Sequence, residues 1–359
     1  MSNGLLTKYP DLRELLEKEL HRAAKENPHL ATNPVRTIDD WCAYVERFAH
    51  LMPWQTMDIG EDASLFRRID QNIGYFYFLL DQPLAALKDK GYIYPSLQYE
   101  PRFAQWLKEY NIAWGEYLSS PDSWCDAYYQ LALSDKRFEL DTDRYESPSN
   151  WHSWNDFFAR KLRKPYTIHH TPYTFISPCD GVIAEEGLIK TASIANWLDL
   201  LGDSPYRNCF VDGETTHIVL DVFDYHRFHM PCDGTVLYCR LIQGIHAGGG
   251  VIIWDETQNR YRYDQLGVTD FQMLETRGVL IIDTPAFGKI AIVPVGVQQV
   301  SSVQWTFSND QRPTTNDQLI QGTELGCFLF GGSDLVLFFE PGRAPYITAK
   351  SVKAGEKIA

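Results

Sequence analysis

Apolar residues in the first part of the chain recur at intervals of three and four, which predicts amphipathic helices. A first helix runs through Leu12, Leu15, Leu16, Leu20 and Ala24, and Pro28 follows it as a stop. A second covers residues 38–51, with Thr37 as its cap and Pro53 behind it, and a third covers residues 103–118. The Trp and Tyr residues of this part are expected mainly to pack a core, and alternatively to line a ligand pocket.

After about residue 150 the pattern changes to short β-branched or aromatic runs that end at Gly, Pro or Asp, which predicts strands. The runs are residues 216–223, 278–283, 290–295 and 334–339. A polar stretch at 141–150 predicts a boundary between a helical domain, 1–150, and a second domain, 151–359, which opens with a helical piece at 151–162. Because strands and helices do not alternate, the predicted class is α+β with a mostly antiparallel sheet.

Charge and composition exclude several function classes. The 359 residues carry 33 Lys plus Arg against 47 Asp plus Glu, a net charge of −14, which disfavours a nucleic-acid partner. No apolar run has the length of a membrane helix, and the N-terminus lacks the apolar segment of a signal peptide. The seven cysteines include no Cys-x-x-Cys pair and indicate reduced thiols. We therefore expect a cytoplasmic protein without stable membrane anchoring.

Two nearly identical segments, Pro-Cys-Asp-Gly at 178–181 and at 231–234, predict two similar tight turns before strands. On local sequence alone, Asp180 and Asp233 are equivalent turn residues. Any chemical difference between them must come from the rest of the chain.

The densest cluster of candidate chemistry is the segment 224–231, in which His226 and His229 are three residues apart. Two imidazoles at a strand end often only pair with carbonyl groups. A metal site would need a third ligand, such as Asp180 or His246, and the spacing matches no helical zinc motif. The sequence therefore predicts no metal.

A second candidate is the pair Gly332-Ser333, which lies between apolar runs near the C-terminus. It can be a simple bend or bulge. Chemically, a glycine before a serine leaves the peptide carbonyl unshielded, so the serine hydroxyl can attack that carbonyl.

Taken together, five blocks resemble the phosphatidylserine decarboxylase family of pyruvoyl-dependent enzymes. They are residues 155–162, the first Asp-Gly turn at 177–182, the Asp-Tyr-His-Arg-x-His-x-Pro block with its turn at 224–236, residues 287–296, and Gly332-Ser333. The resemblance covers about 151–359. The Trp-rich first part is similar to the extra N-terminal domain of the soluble amino-acid branch, which includes the fungal L-tryptophan decarboxylase of psilocybin biosynthesis.

The resemblance implies a triad in which Asp180 orients His229 and His229 activates Ser333. It also implies that the chain cuts itself between Gly332 and Ser333, that Ser333 becomes a covalent pyruvoyl cofactor, and that His226 takes part in decarboxylation. The lipid enzymes mostly have Leu-Gly-Ser-Thr at the cleavage site, whereas this chain has Gly-Gly-Ser-Asp. The scissile pair is kept and both flanks differ.

The sequence therefore predicts a carboxy-lyase that is made as a zymogen and acts on a soluble L-amino acid. An aromatic amino acid is the expected substrate, and tryptophan is the first choice. The two chains formed by self-cleavage are expected to stay associated, and a homo-oligomer is possible. The first alternative is decarboxylation of phosphatidylserine to phosphatidylethanolamine. The second is a binding or regulatory relative that never matures.

Overall fold

The computed structural model describes residues 2–57, 60, 63–138, 140–164, 173–188, 197–248, 250–264, 271–297, 302–307 and 311–359. The chain forms two compact units. Residues 1–140 and 245–271 form the first unit, and residues 141–244 and 272–359 form the second.

Helices build most of the first unit. Their bounds are α1 Ser2–Lys8, α2 Pro10–Glu26, α3 Ile38–Phe48, α4 Leu65–Phe78, α5 Pro101–Leu118 and α6 Asp126–Ser134. The Thr37 side chain accepts a hydrogen bond from the Asp40 backbone N–H, and the Asp40 side chain accepts one from the Thr37 backbone, so α3 begins at the predicted cap. Apolar and aromatic side chains of α2 to α5 are buried in the core of this unit.

A β-hairpin from later in the chain completes the first unit. Its strands, β5 Val251–Asp255 and β6 Arg260–Asp264, pair antiparallel. Gln71 on α4 makes two hydrogen bonds with the backbone of Tyr261 on β6, at 2.8 and 2.7 Å. The predicted boundary at residue 150 assigned this hairpin to the second domain. Its contacts with α4, which is distant in sequence, place it in the first unit.

The described residues of the second unit form the short helix α7 Trp154–Phe158 and eleven strands, arranged as one large and one small sheet. The strands are β1 Gly181–Leu188, β2 Glu214–Leu220, β3 Arg227–His229, β4 Gly234–Ile242, β7 Thr276–Thr284, β8 Gly288–Val297, β9 Gln304–Trp305, β10 Gln318–Leu319, β11 Glu324–Cys327, β12 Gly332–Phe339 and β13 Ser351–Val352. The large sheet has the order β10-β4-β7-β8-β12-β2-β1-β13, and the small one β3-β11-β9. The pairings of the described strands are antiparallel, so the α+β class is confirmed.

Strand β12 is central in the large sheet. It pairs along its whole length with β8 on one side and β2 on the other. Its residues Leu335, Leu337 and Phe339 are fully buried and belong to the apolar core of the unit. The C-terminal segment that begins at Ser333 is therefore integrated into the sheet.

The predicted helices and strands appear with small shifts at their ends. The exception is the piece predicted at 151–162, where α7 is only Trp154–Phe158. The Ser153 side chain caps it by accepting a hydrogen bond from the Asp156 N–H, and beyond the helix Leu162 forms a β-bridge with Tyr145. Among the described residues, no helix is both long and apolar enough to cross a membrane.

Candidate active site

Ser333 lies at the start of β12, where the chain enters the sheet. Gly331, which immediately precedes β12, has φ = 151°, a conformation that residues with a side chain rarely adopt. Ser333 pairs with Gly296 of β8 and Leu220 of β2, and it is only 2% exposed. Ser333 is thus held between two strands and shielded from bulk water, whereas Gly332 is half-buried and pairs with β8.

The imidazole of His226 contacts the Ser333 hydroxyl. His226 Nδ1 and Ser333 Oγ are 3.0 Å apart, and His226 Nε2 is 3.0 Å from the Asp221 carbonyl oxygen. A carbonyl oxygen can only accept, so Nε2 carries the proton and donates it to Asp221. In the neutral ring Nδ1 is then the acceptor, and the Ser333 O–H donates to it. This is the tautomer that a base for Ser333 requires.

Burial keeps His226 neutral. Its side chain is fully buried, and burial, assisted by the positive charge of Arg160, lowers the pKa of His226 to about 3. The same burial makes the imidazolium costly, so His226 is a weak base.

Helix α7 holds both the base and the segment that precedes the serine. The Phe158 ring stacks on His226, with ring centroids 3.8 Å apart, and packs edge-on against Phe330 at 5.3 Å. The Phe330 backbone N–H donates to Asn155 Oδ1 at 2.9 Å. The first sequence block of the resemblance therefore positions the site.

Two buried arginines connect α7 to the histidine segment. Arg160 Nη2 donates to the carbonyl oxygens of Phe223 and Asp224, at 2.8 and 3.0 Å. Arg227 Nε donates to the Ala159 carbonyl at 2.7 Å. These bonds fix the backbone on both sides of His226.

His229 occupies a different environment. Its Nε2 is 3.0 Å from the Tyr225 hydroxyl and its Nδ1 is 3.1 Å from the Gly322 carbonyl oxygen, while burial lowers the pKa of His229 to about 4. The only side-chain hydrogen bond of Ser333 in the described structure is with His226. The geometry thus differs from the predicted triad, because His226 and not His229 reaches Ser333.

Asp180 also differs from its predicted placement. Its carboxylate accepts from both terminal nitrogens of Arg144, at 2.9 and 2.8 Å, and from the Ala354 N–H at 2.8 Å, and Lys353 Nζ lies 3.2 Å away. Burial opposes its ionisation, but the hydrogen bonds and charge of Arg144, the charge of Lys353 and the Ala354 N–H together outweigh burial and lower the pKa of Asp180. Its carboxylate therefore contacts cations, and His229 is not among its hydrogen-bond partners.

The sequence twin of Asp180 has a different partner. Asp233 Oδ1 accepts from the Gln321 backbone N–H at 2.7 Å. The two segments share the sequence Pro-Cys-Asp-Gly, but Gly181 has φ = 147° whereas Gly234 has no positive φ, and the two aspartates contact different distant parts of the chain. The roles predicted for Asp180 and His229 stay predictions.

Several residues of the site carried no signal that sequence reasoning used. Arg144 lies in the polar boundary stretch, Lys353 lies near the C-terminus, and Asp221 contributes a backbone carbonyl. Asn155, Phe158 and Arg160 lie inside the first recognised block, but a ring that stacks on a histidine has no spacing rule. Within the described ranges, no three His, Cys, Asp or Glu residues are arranged to hold a metal ion.

Comparison with known proteins finds the same family as the sequence blocks indicated. The family model described as phosphatidylserine decarboxylase matches residues 154–359. A phosphatidylserine decarboxylase proenzyme of Chlamydia pneumoniae is 30% identical over 217 residues, which cover 57% of this chain and 65% of that protein, less than two thirds of its length. The proenzyme of Acidovorax ebreus is 30% identical over 249 residues (62% and 83%), and that of Pseudomonas fluorescens is 28% identical over 280 residues (72% and 90%).

The residues found around Ser333 fit a cofactor that is made in place. The serine has an unhindered glycine carbonyl before it and a neutral base at 3.0 Å, and this pair needs no added group to react. The matched region includes α7, both histidines and the serine. Because the family model matches more than half of this chain, the chain belongs, as the resemblance implied, to the phosphatidylserine decarboxylase family.

Proposed function

We propose that this chain is a proenzyme that cuts itself between Gly332 and Ser333 and then removes the α-carboxylate from the serine headgroup of phosphatidylserine. The observation that carries the proposal is the contact of Ser333 Oγ with the unprotonated nitrogen of a buried, neutral His226, at the start of a central strand.

The first step is an acyl shift from nitrogen to oxygen. Ser333 Oγ bonds to the carbonyl carbon of Gly332, and the Gly332–Ser333 amide bond breaks, which leaves an ester and a free amine. His226 Nδ1 takes the hydroxyl proton as Oγ attacks and gives it to the departing nitrogen. The Asp221 carbonyl keeps the Nε2 proton in place throughout and stabilises the transient imidazolium.

Elimination then separates the two chains. Loss of the Cα proton and cleavage of the Cβ–O bond release Gly332 as a carboxylate and leave a dehydroalanine at position 333. Water converts this residue to a ketone and releases ammonia. The reaction balances without an oxidant or a metal.

The pyruvoyl carbonyl supplies the sink for the electrons that remain on the substrate Cα when CO2 leaves. His226 contacts the atom from which that group is made, so it is placed to deliver a proton to Cα afterwards. The contact therefore supports the predicted part of His226 in decarboxylation and also makes it the nearest base for self-cleavage.

The fragment 333–359 stays bound in this proposal because β12 is hydrogen-bonded on both sides. Its apolar residues are buried in the core, and the last residues pair with residues 175–177 through backbone bonds of 2.8 to 3.2 Å. Separation of this fragment from the chain 1–332 would expose these apolar residues to water.

The names of the relatives refer to phosphatidylserine, which favours that substrate over tryptophan, the first choice from the sequence. A soluble aromatic amino acid is our second candidate. Two observations favour it: the Gly-Gly-Ser-Asp flanks differ from those of the lipid enzymes, and the aromatic-rich residues before 154 lie outside the family match.

One screen tests both the reaction and the substrate. Purified protein is incubated with phosphatidylserine vesicles, L-serine and the aromatic amino acids, and CO2 release is followed. We expect release from phosphatidylserine, and release from tryptophan alone would replace our first candidate with the second. The predicted cytoplasmic location is checked alongside, by sedimentation with phosphatidylserine vesicles.

Intact mass tests self-cleavage. Wild-type protein should consist of two chains, 1–332 and a fragment blocked at its N-terminus by a pyruvoyl group. Ser333→Ala should remain a single chain. Two chains from this variant, or a single inactive wild-type chain, would refute the proposal, and the latter would favour a binding relative that does not mature.

A further inference from the structure

Two carboxylates that are buried near His226 share one lysine. Lys353 Nζ lies 3.2 Å from Asp180 Oδ2 and 3.4 Å from Asp224 Oδ1. The side chains of Asp180 and Asp224 are 1% and 7% exposed, whereas that of Lys353 is 54% exposed. Arg144 also neutralises Asp180, but Lys353 is the only cation in an ion pair with Asp224 in the described part of the chain.

Asp224 belongs to the turn that fixes the tautomer of His226. Asp224 Oδ2 accepts from the Asp221 N–H at 2.8 Å, and the Asp224 N–H donates to the Asp221 carbonyl at 2.9 Å. That same carbonyl accepts the Nε2 proton of His226. The Asp224 carboxylate thus holds the residue whose carbonyl leaves Nδ1 of His226 free to accept from Ser333.

We propose that Lys353 is a positioning residue for self-cleavage: by bridging Asp180 and Asp224 it keeps Asp224 ionised and holds the turn that orients His226 towards Ser333. This role rests on the proposed function. It acts through Asp224 and the Asp221 backbone, and Lys353 itself touches no reacting atom.

The charges around Asp224 determine how its pKa responds to the loss of Lys353. Burial raises the pKa of Asp224, the Asp221 N–H and Lys353 lower it, and the negative charge of Asp180 raises it. The guanidinium of Arg160 binds the Asp224 backbone carbonyl. Without Lys353, two buried carboxylates face each other with less compensation, and Asp224 takes up a proton at higher pH.

Lys353 also joins the two products of cleavage. It belongs to the fragment 333–359, and its partners Asp180 and Asp224 belong to the chain 1–332. The structure offers a matched control in Lys289, which pairs at 3.3 Å with Glu340 across the same division. The two lysines form the same kind of ion pair, and only Lys353 is connected to the His226 turn.

The experiment measures the rate constant of self-cleavage against pH for freshly translated wild type, Lys353→Met, Lys353→Arg and Lys289→Met. We expect Lys353→Met to be slower by about ten- to a hundredfold, the range found when outer partners of a functional histidine are lost. Its rate should also begin to fall at a higher pH than that of wild type. Lys353→Arg should restore most of the rate, and Lys289→Met should behave as wild type.

A double variant, Lys353→Met with Asp224→Asn, identifies the titrating group. The amide keeps an oxygen acceptor for the Asp221 N–H and has no charge to lose, so the fall that begins at higher pH should disappear. A normal rate and pH profile in Lys353→Met would overturn the role of Lys353 alone. Equal slowing in Lys289→Met would overturn it as well, by showing a general need for ion pairs between the fragments. Absence of cleavage in wild type would refute the proposed function and this role together.

Discussion

Replacement of His226 by alanine tests whether the base for Ser333 is His226, as the geometry indicates, or His229, as the triad implied by the sequence requires. Among the described residues, the change removes the one side chain that is hydrogen-bonded to Ser333 and leaves Oγ without that base, while the Gly332 carbonyl and both neighbouring strands remain. His229→Ala instead removes contacts with Tyr225 and Gly322. The two variants therefore test which imidazole takes the proton.

The magnitude follows from the role. A positioned base contributes about 10²–10⁴ in rate, or about 3 to 5 kcal/mol of activation free energy. We expect His226→Ala to cleave slower by this factor and His229→Ala to cleave within about tenfold of wild type, because positioning contacts contribute less than the base.

The assay is a time course of full-length and cleaved protein after translation in a cell-free system. His246 is also buried but belongs to the first unit, so His246→Ala serves as the control for the loss of a buried imidazole ring. Thermal unfolding identifies variants that fail to fold. If His229→Ala stays full-length while His226→Ala matures and only decarboxylates poorly, our assignment of the cleavage base is refuted. The triad inferred from sequence would then be correct.

Three further results are expected. Asp180→Asn should impair cleavage and lower the melting temperature, because breaking a buried ion pair costs about 3 to 5 kcal/mol. Asp233→Asn keeps an acceptor for the Gln321 N–H and should resemble wild type, so equal defects in the two variants would contradict this expectation. Wild-type cleavage should not change near pH 6.5, because burial lowers the pKa of His226 to about 3; it should fall only at lower pH, where first Asp224, whose pKa burial raises, and then His226 take up a proton, and a midpoint near 6.5 would show an ordinary histidine. Activity should survive dialysis against EDTA, since the chain makes its own carbonyl, and a loss that zinc restores would argue for a metal site.

Much of the fold follows from local pattern. The helix α3 begins where Thr37 predicts a cap, and β12 follows from an unbroken apolar run that only a strand buried on both faces explains. The hairpin at 251–264 was assigned to the second domain, because nothing in its own residues reveals that it packs on α4. Membership of a compact unit depends on contacts between distant segments, which periodicity does not report.

The site was predictable as a set of residues and not as a set of contacts. The motif blocks identify Ser333 and both histidines, but spacing alone cannot say which ring meets the hydroxyl. His226 precedes β3 and His229 ends it, so the answer depends on how the turn from Asp221 delivers the chain into that strand. Asp180 illustrates the same limit, since its partners Arg144 and Lys353 lie far from it in sequence and share no motif with it.

The central position of β12 has a consequence for reversibility. In the proposed self-cleavage, the proenzyme folds while residues 332 and 333 are joined, so β12 would reach its place between β8 and β2 as part of one chain. Once the bond is cut, unfolding yields two molecules, and refolding becomes a bimolecular search by a short apolar fragment that is prone to aggregate. The persistence of the mature protein is then set by its unfolding barrier and not by an equilibrium. After denaturation and dilution, Ser333→Ala should recover its native spectrum, whereas the cleaved wild type should not, even though the two folded states differ by a single peptide bond and one side chain.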